Sequence, residues 1–367
     1  MEIFLAASKN CVINIKDYHH IKVVLGNPTC DLDSAVCALA YGFLKYKETE
    51  KKDTKIGVIP MLNITKDEFY LRNEVVYYLR YCNVSKDLLT FRNDINLQNL
   101  HDSGKLELIL VDHHILRTED IGFANSVSEI IDHRPQDNTW SWTGCALTLT
   151  GAGSCATLVA RNILERRPDT IKAVCKLLKG PILIDTVNFS KEANRATLLD
   201  YEIMAQLDKI CGTNITDRIK LYKEILNVKS DISELSPYDL LIKDLKITNE
   251  VLISGFPILV KEFLELEDAM EALKVFCLKQ GYQLAILMGI DLKNDNMIRD
   301  IAIYSSKINQ TATTLIEALT TSVNPNLQLT EVKREDSATK LLVLYKQDNM
   351  QVSRKQIFPI IQNALFG

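Results

Sequence analysis

The chain is short of the residues that break or staple a backbone. Only 14 of its 367 residues are glycine and 9 are proline, with no low-complexity tract and no internal repeat, so neither a linker-rich nor a repetitive architecture fits. Nine cysteines (11, 30, 37, 82, 145, 155, 175, 211 and 277) form no Cys-x-x-Cys pair, and an odd number cannot close completely into disulfides. No apolar run approaches the ~18 residues of a membrane span. The opening Met-Glu-Ile-Phe-Leu-Ala-Ala-Ser-Lys-Asn lacks the basic stretch and apolar segment of a signal peptide. Neither sign of charge dominates: Lys+Arg 43 against Asp+Glu 47 leaves a formal net charge of -4, which argues against a generic nucleic-acid or anionic-membrane binder. The expectation is a cytoplasmic protein in a reducing compartment, with no membrane and no sequence-specific nucleic acid among its partners.

What is present is globular. Apolar residues make up 47% and charged residues 25%, close to the soluble average, and at roughly 150 residues per domain the length predicts about two domains. Short β-branched runs alternate with segments of helical period, the pattern of βα units around a parallel sheet. Lys22–Leu25, Leu106–Val111, Glu129–Ile131 and Pro181–Ile184 read as strands, with Val58–Pro60 a further one. Apolar Val36, Leu39, Ala40, Phe43 and Leu44 mark a helix that Asp33 or Ser34 would cap. Past about residue 222 the chain turns polar, with serine, acid and proline signals up to Pro237. The expected division is a first domain over 1–222, a linker over 223–234 and a smaller α/β domain over 235–367. The second domain has strands near 251–254, 284–289, 301–304 and 341–345 and helices near 259–280 and 353–365. A ligand site is expected in the cleft between the domains.

The informative feature is where the first domain's apolar runs stop. They end at Gly26-Asn27 followed by Asp31 and Asp33, at Asp112-His113-His114, at Asp132-His133-Arg134 and at Asp185. In a parallel α/β sheet the carboxyl ends of the strands share one edge, so these groups converge there. An isolated acid after a strand is ordinarily a helix cap, but capping does not account for two histidine-bearing strand ends. Clustered carboxylates repel unless cations sit among them, and oxygen with imidazole suits Mg²⁺ or Mn²⁺. Two such ions would activate water for a phosphoryl displacement. There is no Walker A sequence and no Gly-x-Gly-x-x-Gly at the first strand.

At these residues the sequence resembles the DHH phosphoesterase superfamily. The runs Gly26-Asn27-x-x-x-Asp31-Leu-Asp33-Ser34, Val111-Asp112-His113-His114, Ile131-Asp132-His133-Arg134, Gly153-Ser154-Cys155-Ala156-Thr157 and Leu183-Ile184-Asp185-Thr186 occur in its order. Lys243-Asp244-Leu-Lys246 and Ser353-Arg354-Lys355-x-x-x-Pro359 resemble its accessory DHHA2 domain, and the nearest likeness is to the animal prune family of exopolyphosphatases.

The resemblance implies a metal-dependent exopolyphosphatase acting on short-chain inorganic polyphosphate with two divalent cations, Mg or Mn. Cyclic-nucleotide phosphodiesterase or pyrophosphatase activity is the rival enzyme reading. A regulatory scaffold, with nucleoside diphosphate kinase as partner, is the rival of another class. By position, Asn27, Asp31, Asp33, Asp112, His133 and Asp185 are the implied metal ligands, with Asp112 bridging. Asp112, His113 and His114 are implied as catalytic, and Asp132 and His113 as supports that orient ligands. Arg134, Ser154, Lys246, Arg354 and Lys355 are implied as substrate-binding, with Lys66, Arg72 and Asn188 as weaker candidates for lining the cleft. Asn27 and Arg134 stand where the pyrophosphatases carry histidine, which shifts the expectation from Mn²⁺ towards Mg²⁺.

Overall fold

The structure is a computed structural model that describes residues 1–49, 55–136, 142–291, 297–307, 310–337 and 340–366. It divides into two compact units, Met1–Lys229 and Ser230–Gly367.

The first unit runs α1 (Glu2–Ile13), β1 (His20–Leu25), α2 (Leu32–Thr49), β2 (Ile56–Leu62), α3 (Asn73–Tyr81), β3 (Thr90–Phe91), α4 (Leu97–Asp102), β4 (Leu106–Val111), β5 (Val127–Asp132), β6 (Ala146–Leu149), α5 (Cys155–Arg166), α6 (Cys175–Asp185), α7 (Leu198–Cys211) and α8 (Ile215–Ser230). Its six strands are all parallel, in the order β3-β2-β1-β4-β5-β6. Both faces of the sheet are covered by apolar clusters, which is why β1 and β4 are nearly continuous runs of Val, Leu and Ile rather than alternating ones. The order reverses direction at β1, whose two neighbours are β2 and β4. That reversal opens a crevice outside the carboxyl ends of β1 and β4, where the sequence places Asn27–Asp33 and Asp112.

Helix α2 is buried from Leu32 to Lys45, not along one stripe alone. Small residues Ala35, Cys37, Ala38 and Gly42 let it lie between the sheet and α5 and α6. Its cap is Asp31, whose Oδ1 accepts the Ser34 N–H at 3.0 Å, rather than Asp33 or Ser34. The run Pro181–Ile184, expected as a strand, is instead the last turns of α6. A short apolar run carries no period of its own, and Leu177, Leu178, Ile182 and Leu183 bury α6 on several sides. The boundary between the units falls after Lys229, inside the stretch 223–234 expected as a linker, of which the part up to Ser230 is the end of α8 and places Ile225 in the first unit's core.

The second unit runs α9 (Pro237–Lys243), β7 (Leu245–Thr248), β8 (Val251–Phe256), α10 (Val260–Leu264), α11 (Ala269–Gln280), β9 (Leu284–Asp291), β10 (Ile298–Ser305), α12 (Gln310–Thr321), β11 (Leu329–Ser337), β12 (Lys340–Gln347) and α13 (Arg354–Phe366). Its sheet has the order β11-β12-β10-β9-β8-β7, and only the β8–β9 pair is parallel. The expected helix over 259–280 is two helices, broken before Asp268, whose φ of 61° is left-handed. Among the described residues no helix is long and apolar enough to cross a membrane.

Candidate active site

The loop leaving β1 is built for close approach. A Cβ on Gly26 would lie 2.3 Å from Ser34 Oγ and 3.0 Å from the Ser34 carbonyl oxygen, so only glycine lets the loop pass beneath the first turn of α2. Asn63, just past β2, donates to the Gly26 carbonyl at 2.8 Å, and Arg72 Nε donates to the Thr29 carbonyl at 2.6 Å. At Asn27, expected among the metal ligands, the side-chain oxygen accepts Thr29 N–H (2.9 Å), Thr29 Oγ–H (2.6 Å) and Cys30 N–H (3.2 Å), while the amide N–H₂ donates to the Asp112 carboxylate. Backbone donors fix which end of the amide is oxygen, and the other end faces Asp112.

Asp33 faces the start of α5, accepting Cys155 N–H at 2.7 Å and Ala156 N–H at 2.9 Å. A carboxylate at a helix N-terminus is stabilised by otherwise unpaired N–H groups and by the helix dipole. Ser154 is the cap of that helix: its Oγ accepts Ala156 N–H at 3.2 Å and the residue is 0% exposed. Ser154, expected to bind substrate, caps α5 in the structure, and the anion at this helix start is Asp33.

The ends of β4 and β5 supply the rest. Asp112 is 1% exposed and left-handed at φ 59°, a conformation costly for a non-glycine residue and characteristic of functional sites. Its Oδ1 makes no hydrogen bond and faces His133 Nε2 at 3.4 Å and Arg134 Nη1 at 3.2 Å. His133 Nδ1 lies 2.9 Å from the Ala152 carbonyl oxygen, so that nitrogen donates and Nε2 is the one turned to Asp112. Donor atoms of Asp33, Asp112 and His133 all lie within 4.8 Å of one another. His114, 4% exposed, has its Nδ1 2.6 Å from Asp132 Oδ2, and Asp132 Oδ1 accepts Arg134 Nη1 at 3.1 Å. His114, expected as catalytic, is thus paired with the carboxylate that also holds Arg134. His113 Nδ1 donates to the Val111 carbonyl at 3.0 Å, and burial holds its pKa down at about 4, leaving a neutral ring.

Asp185 closes α6 and is followed by three left-handed residues, Val187, Asn188 and Phe189. Burial, then the charges of Asp33 and Asp31, push its carboxyl well above the usual range. Burial, then Asp33, likewise pushes Asp112 up to about 7. Burial also raises Asp31, with Asp33 adding to the shift. For His133 burial acts downward, but the Asp112 pairing and the Asp33 charge prevail and raise it to about 9. Four carboxylates, Asp31, Asp33, Asp112 and Asp185, thus crowd one buried place with Arg134 and His133 as the neighbouring cations. An orphaned Asp112 oxygen and this uncompensated charge fit a divalent cation.

In the second unit, Arg354 donates to the Asp244 carbonyl and carboxylate, both at 2.7 Å. Lys246 lies 5.8 Å from the ring centre of Phe358, and Lys246 and Lys355 are exposed. Among the weaker candidates Lys66 is exposed, Arg72 braces the β1 loop and Asn188 is one of the left-handed residues. Asp200 escaped the sequence reading. It is wholly buried and accepts Gly153 N–H (2.8 Å), Thr157 Oγ–H (2.6 Å) and Thr197 N–H (2.7 Å), tying the α5 entry to α7. The Thr197-x-x-Asp200 spacing of a capping box is the local signal that could have found it; Asn63 escaped too, and nothing in the local sequence marks it.

A parallel sheet carrying acids and imidazole at its switch point, followed by a mixed-sheet unit, defines the class as a DHH-type phosphoesterase. Residues 223–364 match the DHHA2 domain family. The chain is 34% identical over 363 residues to exopolyphosphatase PRUNE1 of Rattus norvegicus, which covers 97% of this chain and 78% of that one. To exopolyphosphatase PRUNE1 of Homo sapiens it is 33% identical with the same coverage. The crystal structure of a Methanococcus jannaschii protein assigned to the family II inorganic pyrophosphatases superposes with a TM-score of 0.59 at 20% identity, covering 94% of this chain and all of that one, which shows a shared fold. The chain belongs to the prune exopolyphosphatase family.

Proposed function

We propose that this chain is a hydrolase of phosphoanhydride bonds that releases orthophosphate from the end of short-chain inorganic polyphosphate. The observation that carries the reading is the buried gathering of Asp33, Asp112 and His133, with Asp112 Oδ1 unpartnered and Asp31 and Asp185 in electrostatic reach. Asp31 and Asp33 would each hold one divalent cation, Asp112 both, and His133 and Asp185 would complete the ligand set of the second cation. Because one imidazole stands among four carboxylates, Mg²⁺ suits the set as well as Mn²⁺ does. When bound, such a pair supplies an activated water and neutralises charge on the attacking and leaving oxygens.

The chain's own groups do the positioning. Asn27 orients Asp112, and the α5 amides hold Asp33. The His114–Asp132 pair steadies Arg134, whose planar fork suits phosphate oxygens. Neutral His113, its one N–H given to the Val111 carbonyl, presents Nε2 as an acceptor and carries no charge to repel the cations. Lys246, Arg354 and Lys355 are the second unit's phosphate-binding residues in this reading. Nine free cysteines fit a cytoplasmic setting.

The test is phosphate release from defined-length polyphosphates, beside pyrophosphate and cyclic AMP, in Mg²⁺, Mn²⁺ or chelator. Tri- and tetraphosphate are expected to be the best substrates, with activity lost in chelator. Release independent of divalent ions, or faster turnover of cyclic AMP, would sink the reading.

A further inference from the structure

Two of the nine cysteines stand side by side, thiol to thiol. Cys175 is the first residue of α6 and Cys211 the last of α7. The Cys211 thiol donates to Cys175 Sγ at 3.0 Å across 36 positions of sequence. The Cys175 thiol in turn points to the Lys172 carbonyl at 3.4 Å. Lys179, one turn further along α6, is buried in an ion pair with Asp208 at 2.7 Å and adds positive charge beside the pair. Cys175 is buried while Cys211 is partly exposed, so a small reagent can reach the pair from the Cys211 side.

We propose that Cys175 and Cys211 form an oxidisable dithiol, which a peroxide converts reversibly to a disulfide linking the start of α6 to the end of α7. Cys175 supplies the attacking sulfur. The thiol hydrogen bond from Cys211, then the amides at the start of α6 and nearby Lys179, overcome burial and hold Cys175 at about 7. Burial instead raises Cys11, Cys30, Cys82, Cys155 and Cys277 to about 12, and Cys37 well above its ordinary value. In the first step the Cys175 thiolate attacks one peroxide oxygen and the O–O bond breaks. This leaves Cys175 as a sulfenic acid and releases hydroxide, which takes up a proton. In the second, Cys211 sulfur attacks the sulfenic sulfur, an S–S bond forms and the S–O bond breaks. The hydroxide departs with the Cys211 proton as water. Two thiols are oxidised, one hydrogen peroxide is reduced and two waters form.

Cys37 and Cys155 serve as the internal comparison, for they are also neighbouring thiols but fully buried, with burial raising the pKa of both. The experiment titrates the intact metal-loaded protein with hydrogen peroxide, then alkylates it under denaturing conditions and maps peptides without reduction. A Cys175–Cys211 cross-linked peptide is expected before any other cysteine is modified, with both thiols recovered after treatment with a dithiol reductant. In Cys211→Ser the cross-link is lost and Cys175 becomes labelled by dimedone. In Cys175→Ser, Cys211 stays unlabelled. Alkylation of both residues at peroxide levels that oxidise other cysteines, or dimedone labelling on Cys211 in place of Cys175, overturns the proposal.

Discussion

At the scale of single residues, the site is held together by side chains in positions they would not choose alone. Asp112 sits at φ 59° with a carboxylate oxygen that makes no hydrogen bond, only ion-pair contacts with His133 and Arg134, and Cys30 enters the Asp31 loop at φ 48°. Such strain persists only where the surroundings over-determine it. Asp112→Asn keeps the shape while removing the charge, so turnover should fall on the order of 10³-fold. In chelator its melting temperature should equal or exceed that of the parent, because a buried charge without a cation opposes folding. Equal turnover in the two proteins, at saturating Mg²⁺, would contradict the role.

A second residue-scale prediction lies at the opposite end of the sheet. Glu107 accepts Lys22 Nζ at 2.6 Å and Ser128 Oγ–H at 2.8 Å and lies 2.6 Å from His20 Nε2, linking β1, β4 and β5. Burial pushes its pKa up, but Lys22, His20 and Ser128 prevail and bring it down to about 2 from 4.5. The folded-state value is depressed, so its contribution is present above about pH 4.5 and is lost as pH falls towards 2. The half-buried group should contribute about 1–2 kcal/mol at neutral pH after solvent screening. Urea unfolding of the parent and Glu107→Gln should differ by that amount at pH 7 and converge near pH 2. The acids and His133 were legible in the sequence because their chemistry is carried by residue type. Asn27 and Ser154 were not, because which atom an amide or hydroxyl spends depends on donors that only the folded loop brings near.

At the scale of elements, the site depends on how α5, α6 and α7 begin and end. Asp33, from α2, caps α5, while Asp200, from α7, ties down the Gly153 entry to it. A Cβ on Gly153 would come within 2.6 Å of Thr186 Cγ2 and 3.0 Å of Asp200 Oδ2, so the same junction also packs against the residue after Asp185. Asp200→Ala leaves several buried donors without their acceptor, at about 1.5–3 kcal/mol for a hydrogen bond to a charged group. A loss of about 3 kcal/mol or more is expected in urea unfolding, together with weakened divalent-cation binding. A stability unchanged within about 0.5 kcal/mol would contradict this account. The four central parallel strands, β2, β1, β4 and β5, were legible because burial on both faces writes a plain apolar run, whereas two-residue β3 and the more exposed β6 were not. The end of α6 was not: Pro181–Ile184 has the same composition whether it lies between strands or is surrounded by helices, and only tertiary packing decides.

At the scale of the whole molecule, each unit has its own apolar interior. The first unit's sheet is covered on its two faces by clusters centred on α2 with α5 and α6, and on β1 with β4. The second unit's sheet likewise separates two clusters, one around α9 and α11, the other around α12 and α13. A sheet covered on both faces is the minimum an independent domain needs. Residues 1–229 and 230–367, produced separately, should therefore each unfold cooperatively. The proposed metal ligands, Asp31 to Asp185, belong wholly to the first unit, so Mg²⁺ or Mn²⁺ at ~100 times its dissociation constant should stabilise that fragment by about 2.7 kcal/mol, roughly 5–10 °C. The second fragment should show no such shift. Differential scanning calorimetry with and without chelator reads both fragments directly. A metal-dependent shift in 230–367, or none in 1–229, would place the cations elsewhere than among these carboxylates.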